Sequence, residues 1–125
     1  MLFFLEGRGN AARVDSLFRQ AHLSKTPVFM SVVNWGEVYY TEWQERGQDH
    51  AELIRHSMAR LPIVLVPADE EISLHAARLK AKHKIPFADA FAAATALRHD
   101  ATLVTADPDF KKLGSQIKIM WLAKS

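Results

Sequence analysis

Four short, mainly apolar segments constrain the fold of this sequence more than any other feature. They occupy residues 27–33, 62–67, 101–105 and 117–121, and stretches with helical periodicity separate them. Strands buried on both faces have this composition, and alternation of such strands with helices is typical of a mainly parallel sheet covered by helices. The sequence therefore predicts one α/β domain over residues 1–125.

The intervening stretches predict helices with recognisable ends. The helices are expected at residues 11–22, 34–47, 50–60, 69–83 and 86–99. Gly47 is the expected stop of the second helix, and Asp49 and Asp69 are the expected caps of the third and fourth. In a fold of this kind the chain normally begins with a strand, yet the first clear element here is a helix.

The composition excludes several classes of protein. The chain has no cysteine, which excludes disulfides, thiolate catalysis and cysteine-based zinc sites. No apolar run approaches the roughly 20 residues of a membrane helix, and the opening apolar run lacks the basic lead-in of a signal peptide. We therefore expect a cytoplasmic protein without a membrane partner.

Positive charge is concentrated in the second part of the chain. Residues 78–125 carry nine basic and four acidic side chains, although the net charge of the whole chain is only +2. Arg78, Lys80, Lys82 and Lys84 form like-charged pairs at helical spacing. They are either a solvated helix face or a surface that binds a nucleic-acid backbone, and the sequence leaves both interpretations open.

Three acidic residues are expected at one edge of the sheet. Glu37 follows the first clear strand, Asp107 follows the strand at 101–105, and Asp89 lies in the first turn of the helix that leads into that strand. Sites of open α/β sheets form just beyond the carboxyl ends of the strands. Each acid also has a structural explanation: Asn34 and Glu37 have the spacing of a capping box, and acids are common at helix starts.

Asp89 is the least easily explained of the three. It lies in the small, apolar run FADAFAAATA, where a carboxylate is costly unless it has a partner. Carboxylate clusters without cysteine or a histidine motif suit hard cations such as Mg²⁺ and Mn²⁺. Two such ions can promote phosphodiester hydrolysis. The aromatic residues Trp35, Tyr39 and Trp43 share one helix face, for which packing and base stacking are both open.

Three segments resemble the PIN-domain ribonucleases, especially the VapC-type toxins of toxin–antitoxin pairs. They are SVVNWGEVYY at 31–40, ARLKAKHKIPFADAFAAATALRHDATLVTADPDF at 77–110 and IKIMWL at 117–122. The resemblance implies a three-layer α/β/α fold, an RNA substrate and a site for Mg²⁺ or Mn²⁺. It also implies a cognate antitoxin protein and a homodimer.

The same resemblance assigns roles to individual residues. It implies that the second, third and fourth acids of the family site are Glu37, Asp89 and Asp107, which would be both catalytic residues and metal ligands. The supporting residues that it implies are Asn34, Thr105 and Asp109.

The sequence departs from the family pattern at its start. In the family, the first strand and first acid precede a segment similar to LFFLEG, which here begins at Leu2. We therefore expect the first strand and first acid to be missing, and MLFFLEG to be the helical turn that follows them. The alternative is that MLFFL forms a replacement strand. A missing central strand would leave its neighbours unpaired and would favour a strand-exchanged dimer.

Two functions follow from these expectations. The first is a metal-dependent endoribonuclease of the toxin–antitoxin type that hydrolyses RNA phosphodiester bonds. The alternative is a catalytically impaired PIN-fold remnant that acts as a protein- or RNA-binding module. A third class, a phosphate or nucleotide binder, would need a glycine-rich or hydroxyl-rich loop after a strand, and the sequence has none.

Overall fold

A computed structural model of the chain describes residues 3–7 and 11–122, and one parallel sheet organises them. The strands are β1 (Phe3–Leu5), β2 (Val28–Ser31), β3 (Ile63–Val66), β4 (Thr102–Thr105) and β5 (Ile119–Trp121). Their order across the sheet is β3-β2-β1-β4-β5, and every neighbouring pair is parallel. The predicted α/β fold with a parallel sheet is confirmed.

Helices connect the strands and cover the sheet. They are α1 (Ala11–Leu23), α2 (Val32–Arg46), α3 (Gln48–Ala59), α4 (Glu70–His83), α5 (Phe87–Arg98) and a 3₁₀ segment (Pro108–Gln116). Among the described residues, none of the helices combines the length and the apolar character that crossing a membrane requires.

The apolar core has two parts, one on each face of the sheet. Phe4 and Leu103 point towards α4 and α5, where Ile72, Ala76 and Leu79 of α4 are buried. The neighbouring strand residues point the other way and pack with Phe18 and Ala21 of α1; they are Phe3, Leu5, Val28, Met30 and Val104. The three-layer arrangement implied by the resemblance is therefore confirmed.

The expectation of a missing first strand is wrong. Phe3–Leu5 forms β1 at the centre of the sheet, where it pairs with β2 and with β4. All three side chains are buried, and they alternate between the two cores as strand residues do. Three residues are too few for periodicity to identify a strand, and the turn expected at this place does not form. Because the chain's own β1 fills the ladder, strand exchange is not needed to complete it.

Two predicted helix starts are also wrong, for local reasons. Helix α2 begins at Val32, because the Ser31 hydroxyl accepts a hydrogen bond from the Val33 backbone N–H at 3.2 Å. Asn34 is therefore inside the helix and does not cap it. Gly47, with a φ of 95°, both ends α2 and precedes α3, so Asp49 lies in the first turn of α3. A left-handed φ of this kind costs glycine little.

Strand β3 was expected to be buried, but it lies at an edge of the sheet. Val64 and Leu65 remain 44% and 43% exposed. Its apolar composition does not distinguish an edge strand from a central one. The predicted cap of the following helix is confirmed, because Asp69 Oδ1 accepts a hydrogen bond from the Ile72 N–H at 2.8 Å.

Helix α5 is the most deeply buried helix that the structure describes. Residues 89–96 are all buried, and most of them are alanine. Small side chains let a helix approach the sheet closely, and such a helix leaves little room for water around a polar residue. Asp89 lies in its first turn and is the one carboxylate in this buried run.

Candidate metal centre

Three carboxylates meet beyond the carboxyl ends of the two central strands. Glu6 follows β1 directly, Asp107 comes two residues after the end of β4, and Asp89 lies in the first turn of α5. One carboxylate oxygen from each residue lies within 4.8 Å of the oxygens from the other two. Ends of neighbouring parallel strands are where open α/β sheets form their sites.

Thr105 and Asp107 shape the turn on the β4 side of this cluster. The Thr105 hydroxyl accepts a hydrogen bond from the Asp107 backbone N–H at 3.0 Å, and it lies 3.5 Å from Glu6 Oε1, to which it donates. Asp107 Oδ1 accepts from the Asp109 N–H at 2.9 Å and so caps the 3₁₀ segment. One Asp107 oxygen is thus used in the turn. The threonine ties the ends of β1 and β4 together.

Asn34 positions the start of α5. Its side-chain Nδ2 donates to the Ala88 carbonyl at 3.1 Å, so it links the first turn of α2 to the residue before Asp89. Asn34 is completely buried, and its Oδ1 has no hydrogen-bond partner among the described residues. The supporting position that the resemblance implied for Asn34 is therefore next to the acids in the fold.

Burial and mutual repulsion dominate the electrostatics of the cluster. Burial, followed by the charges of Asp107 and Glu6, raises the pKa of Asp89 to about 8. Burial, together with the charges of Asp107 and Glu37, raises the pKa of Glu6 to about 7, although the hydrogen bond from Thr105 opposes the rise. The cluster therefore retains protons near neutral pH unless a cation compensates the charges.

Glu37 contributes to the site from its periphery. It lies in α2, half-buried, and it is not among the three residues whose oxygens lie within 4.8 Å of one another. Burial and the charge of Asp107 nevertheless raise the pKa of Glu37. The structure therefore brings all three acids that the sequence analysis named to one edge of the sheet, with Glu37 outside the tight group.

Sequence reasoning missed Glu6. We expected the segment before Glu6 to be a helical turn. Glu6 was therefore not recognised as an acid that follows a strand of the sheet. A signal was present, because Glu6 follows an apolar run directly, as acids at the ends of strands do.

The other predicted site residues lie in the 3₁₀ segment and in α4 with its cap. Asp109 supports Asp107 through its backbone, and its carboxylate lies 3.8 Å from Lys112 Nζ. The four basic residues of the sequence analysis lie in the last turns of α4 and at its cap, one short loop before α5; they are Arg78, Lys80, Lys82 and Lys84. Lys80 Nζ donates to the Ile85 carbonyl at 3.1 Å, which is a structural role.

The residues present fit a hard divalent cation. All donors in the cluster are carboxylate oxygens, the ligands that Mg²⁺ and Mn²⁺ prefer. Asp89 Oδ2 is buried and has no hydrogen-bond partner among the described residues. An orphaned buried oxygen facing two other acids is costly in a purely structural cluster, because desolvation and repulsion act together. A bound cation would compensate both.

Comparison with models of protein families identifies the family of this chain. Residues 1–116 match the PIN domain. The chain belongs to the PIN domain family. The match includes β1 and Glu6 as well as the three acids from the sequence analysis. None of the curated proteins matches this PIN domain significantly.

Solved structures share its fold over nearly the whole chain. VapBC2 from Rickettsia felis, bound to a promoter DNA fragment, has a TM-score of 0.74 at 15% identity and covers 98% of this chain and 100% of that one. VapBC-1 from nontypeable Haemophilus influenzae has a TM-score of 0.70 at 15% identity, with 97% and 98% covered. Mycobacterium tuberculosis VapC20, described as a sarcin-ricin loop cleaving toxin, has a TM-score of 0.67 at 18% identity, with 90% and 95% covered. At these identities the likeness is one of fold.

Proposed function

We propose that this PIN domain is a metal-dependent endoribonuclease of the VapC toxin type, which hydrolyses RNA phosphodiester bonds. The observation that carries the proposal is the convergence of the Glu6, Asp89 and Asp107 carboxylates within 4.8 Å at the centre of the sheet edge. The family membership and the likeness to VapC folds support it.

Glu6, Asp89 and Asp107 are the proposed metal ligands, and Glu37 is a further acid at the rim of the site. Mg²⁺ or Mn²⁺ held there would lower the pKa of an attacking water and neutralise charge on the phosphate. The chain's own contribution is to hold oxygen ligands in a fixed arrangement. Thr105 and Asn34 position the ligands through their hydrogen bonds to Asp107, Glu6 and Ala88.

A cognate antitoxin and a second copy of the chain are the proposed protein partners. Both come from the likeness to VapBC complexes. Large exposed apolar side chains on α2 and α3 support them, because protein partners cover surfaces of this kind. Tyr40, Trp43 and Leu53 are 52%, 43% and 64% exposed. A cytoplasmic location belongs to the same proposal, since the proposed substrate is RNA.

The alternative function, an impaired remnant that binds protein or RNA, was suggested by a missing strand and a missing acid. Phe3–Leu5 supplies a central strand, and Glu6 supplies an acid at its end. The geometry therefore favours the enzyme. The two functions differ in one measurable property, which is metal-dependent cleavage.

Cleavage of RNA with Mg²⁺ or Mn²⁺ tests the proposal directly. We expect Asp89→Asn and Glu6→Gln each to slow cleavage about 100-fold or more, because loss of one ligand removes several kcal/mol of charge stabilisation. Glu45→Gln, an exposed acid on α2, is the matched control and should cut like the wild type. Equal rates for Asp89→Asn and the wild type would overturn the assignment of the site. Cleavage that survives EDTA would overturn the metal dependence.

Cation binding is also measurable without cleavage. An excess of Mn²⁺ at about 100 times its Kd should stabilise the wild-type fold by about 2.7 kcal/mol, because only the folded state assembles the ligands. The midpoint of urea denaturation measures this stabilisation. Asp107→Asn should lose most of the response, whereas Glu45→Gln should keep it. An unchanged midpoint for the wild type would argue against a cation at this centre.

A further inference from the structure

Trp121 lies on the strand next to Thr105, the threonine that contacts the acidic cluster. Trp121 ends β5 and is the register partner of Thr105 on β4. Directly opposed residues of parallel strands point to the same face, about 4.8 Å apart between strands. The Thr105 side chain contacts both Glu6 and the Asp107 backbone. Trp121 is therefore one strand away from a threonine that touches the cluster.

This tryptophan is exposed and has a cation beside it. It remains 38% exposed at the end of β5, which is an edge strand of the sheet. Lys111 Nζ lies 5.8 Å from the ring centroid. Lys111 belongs to the 3₁₀ segment that Asp107 caps, and it lies four residues after Asp107 in the chain.

We propose that Trp121 and Lys111 form a nucleotide subsite for single-stranded RNA beside the metal centre. The base stacks on the indole, and the lysine ammonium binds the adjoining phosphate. The subsite rests on the proposed function, because it places a substrate nucleotide next to the carboxylates. A cluster of acids repels the phosphate of an RNA substrate. The positive charge of Lys111 would offset part of that repulsion.

The relative strengths of the two contacts allow a base to replace the lysine on the ring. An exposed ammonium over an aromatic ring shifts an equilibrium about 2- to 5-fold. Stacking of a base on an aromatic side chain shifts it about 5- to 150-fold. A base therefore displaces the ammonium from the indole. Lys111, on a flexible stem, remains within reach of the phosphate of the same nucleotide.

The aromatic face of α2 is a weaker candidate for base stacking. Its rings pack edge-to-face against one another, with centroid separations of 6.2 Å for Trp35 and Tyr39 and 6.0 Å for Tyr39 and Trp43. Tyr39 also donates to Glu52 Oε2. Trp43 lies six residues beyond Glu37, which is roughly 9 Å along the helix and on a different side of it. It is 43% exposed and belongs to the apolar surface proposed above for protein partners.

RNA binding by the full chain tests the subsite separately from cleavage. The probe is a fluorescently labelled single-stranded RNA of mixed sequence, and its anisotropy is measured in EDTA so that no cleavage occurs. Trp121→Leu should weaken binding about 5- to 150-fold, and Trp121→Phe should restore most of the affinity. Leu23→Ala, at an 83% exposed residue that ends α1, should bind like the wild type. In Lys111→Gln, the slope of log affinity against log salt concentration should be smaller by about 1, which is the contribution of one phosphate contact.

Abasic RNAs distinguish stacking from a general effect on structure. Wild-type affinity should drop when an abasic spacer occupies one position of the RNA, and Trp121→Leu should be insensitive to that spacer. Equal binding by Trp121→Leu and the wild type overturns the subsite, and so does an equal loss on intact and abasic RNA. If cleavage is metal-dependent but Trp121→Leu is unaffected, the subsite alone fails. If Asp89→Asn cuts as fast as the wild type, the proposed function fails, while the binding result is still informative.

Discussion

Two carboxylates of nearly equal burial, Asp89 and Glu42, have opposite surroundings. Asp89 is 4% exposed and Glu42 is 5% exposed. Glu42 Oε2 lies 3.0 Å from His50 Nε2, across the contact between α2 and α3. Asp89 instead faces the acids Glu6 and Asp107. Burial alone therefore does not distinguish a structural carboxylate from a functional one. The neighbouring groups do, since Glu42 lies beside a ring nitrogen and Asp89 lies beside two further acids.

The different surroundings of Asp89 and Glu42 indicate where the fold accepts a loss of folding free energy from a buried carboxylate. Glu42 has the His50 ring nitrogen beside it across the contact between two helices, and removing the partner of a buried charged group is costly. A buried acid among acids destabilises the folded chain until protons or a cation compensate it. Costs of this kind are concentrated at functional sites. The comparison predicts opposite results when each group is altered.

The largest expected effect is the pH dependence that Asp89 imposes on stability. Its pKa rises from 3.8 to about 8 on folding, so the folded chain binds the proton more tightly than the unfolded chain. Without divalent ions, the free energy of unfolding should therefore fall as the pH rises from about 4 to 8. Asp89→Asn should remove much of that slope and stabilise the chain at pH 8 by up to several kcal/mol.

Urea denaturation across this pH range, in EDTA, measures the effect. Asp100→Asn, an exposed acid just beyond α5, is the control and should retain the wild-type slope. If Asp89→Asn is less stable than the wild type at pH 8, the carboxylate has a stabilising partner. The contrast with Glu42 would then be lost.

Removing the partner of Glu42 should have a smaller effect of the opposite sign. His50→Ala leaves a buried carboxylate without its imidazole, which costs about 1–3 kcal/mol of unfolding free energy. The value belongs at the lower end of that range, because the His50 side chain is 30% exposed and water partly replaces it. His56→Ala, an exposed histidine later in α3, should change stability little. A His50→Ala chain as stable as the wild type would show that Glu42 is satisfied without His50.

The sequence predicts the fold better than it predicts the membership of the site. Asp89 and Asp107 were recognisable because the 12-residue helix α5 carries the first and an apolar strand, β4, ends two residues before the second. Glu6 depends on a strand of three residues, which carries almost no periodic signal. Glu37 was correctly expected at the same edge. Its separation from the tight group follows from the start of α2 at Val32, because that start places Glu37 about a turn and a half into the helix.

The exposure and position of Trp121 could not be predicted from the sequence for a different reason. The strand at its place was predicted, but a tryptophan at the end of an apolar strand is most simply interpreted as core. Its exposure depends on β5 being the edge strand, and its proximity to the acids depends on pairing with β4. Strand order is a property of the whole chain, and no local pattern encodes it.

Replacing Asp69, an exposed carboxylate, should change the free energy of unfolding least. It extends the comparison of Asp89 and Glu42 to an acid that water solvates. Asp69 caps α4 through the Ile72 N–H, and its carboxylate lies 3.0 Å from Arg98 at the end of α5. Asp69→Ala should cost about 1 kcal/mol, because the cap is lost while water solvates the groups that the exposed ion pair releases. Asp69→Asn retains a capping oxygen and should recover most of that loss. Urea denaturation of the two variants measures the difference, and equal losses would assign the stabilisation to the ion pair with Arg98. With either result, Asp89 would remain the one of the three carboxylates whose replacement is expected to raise the free energy of unfolding.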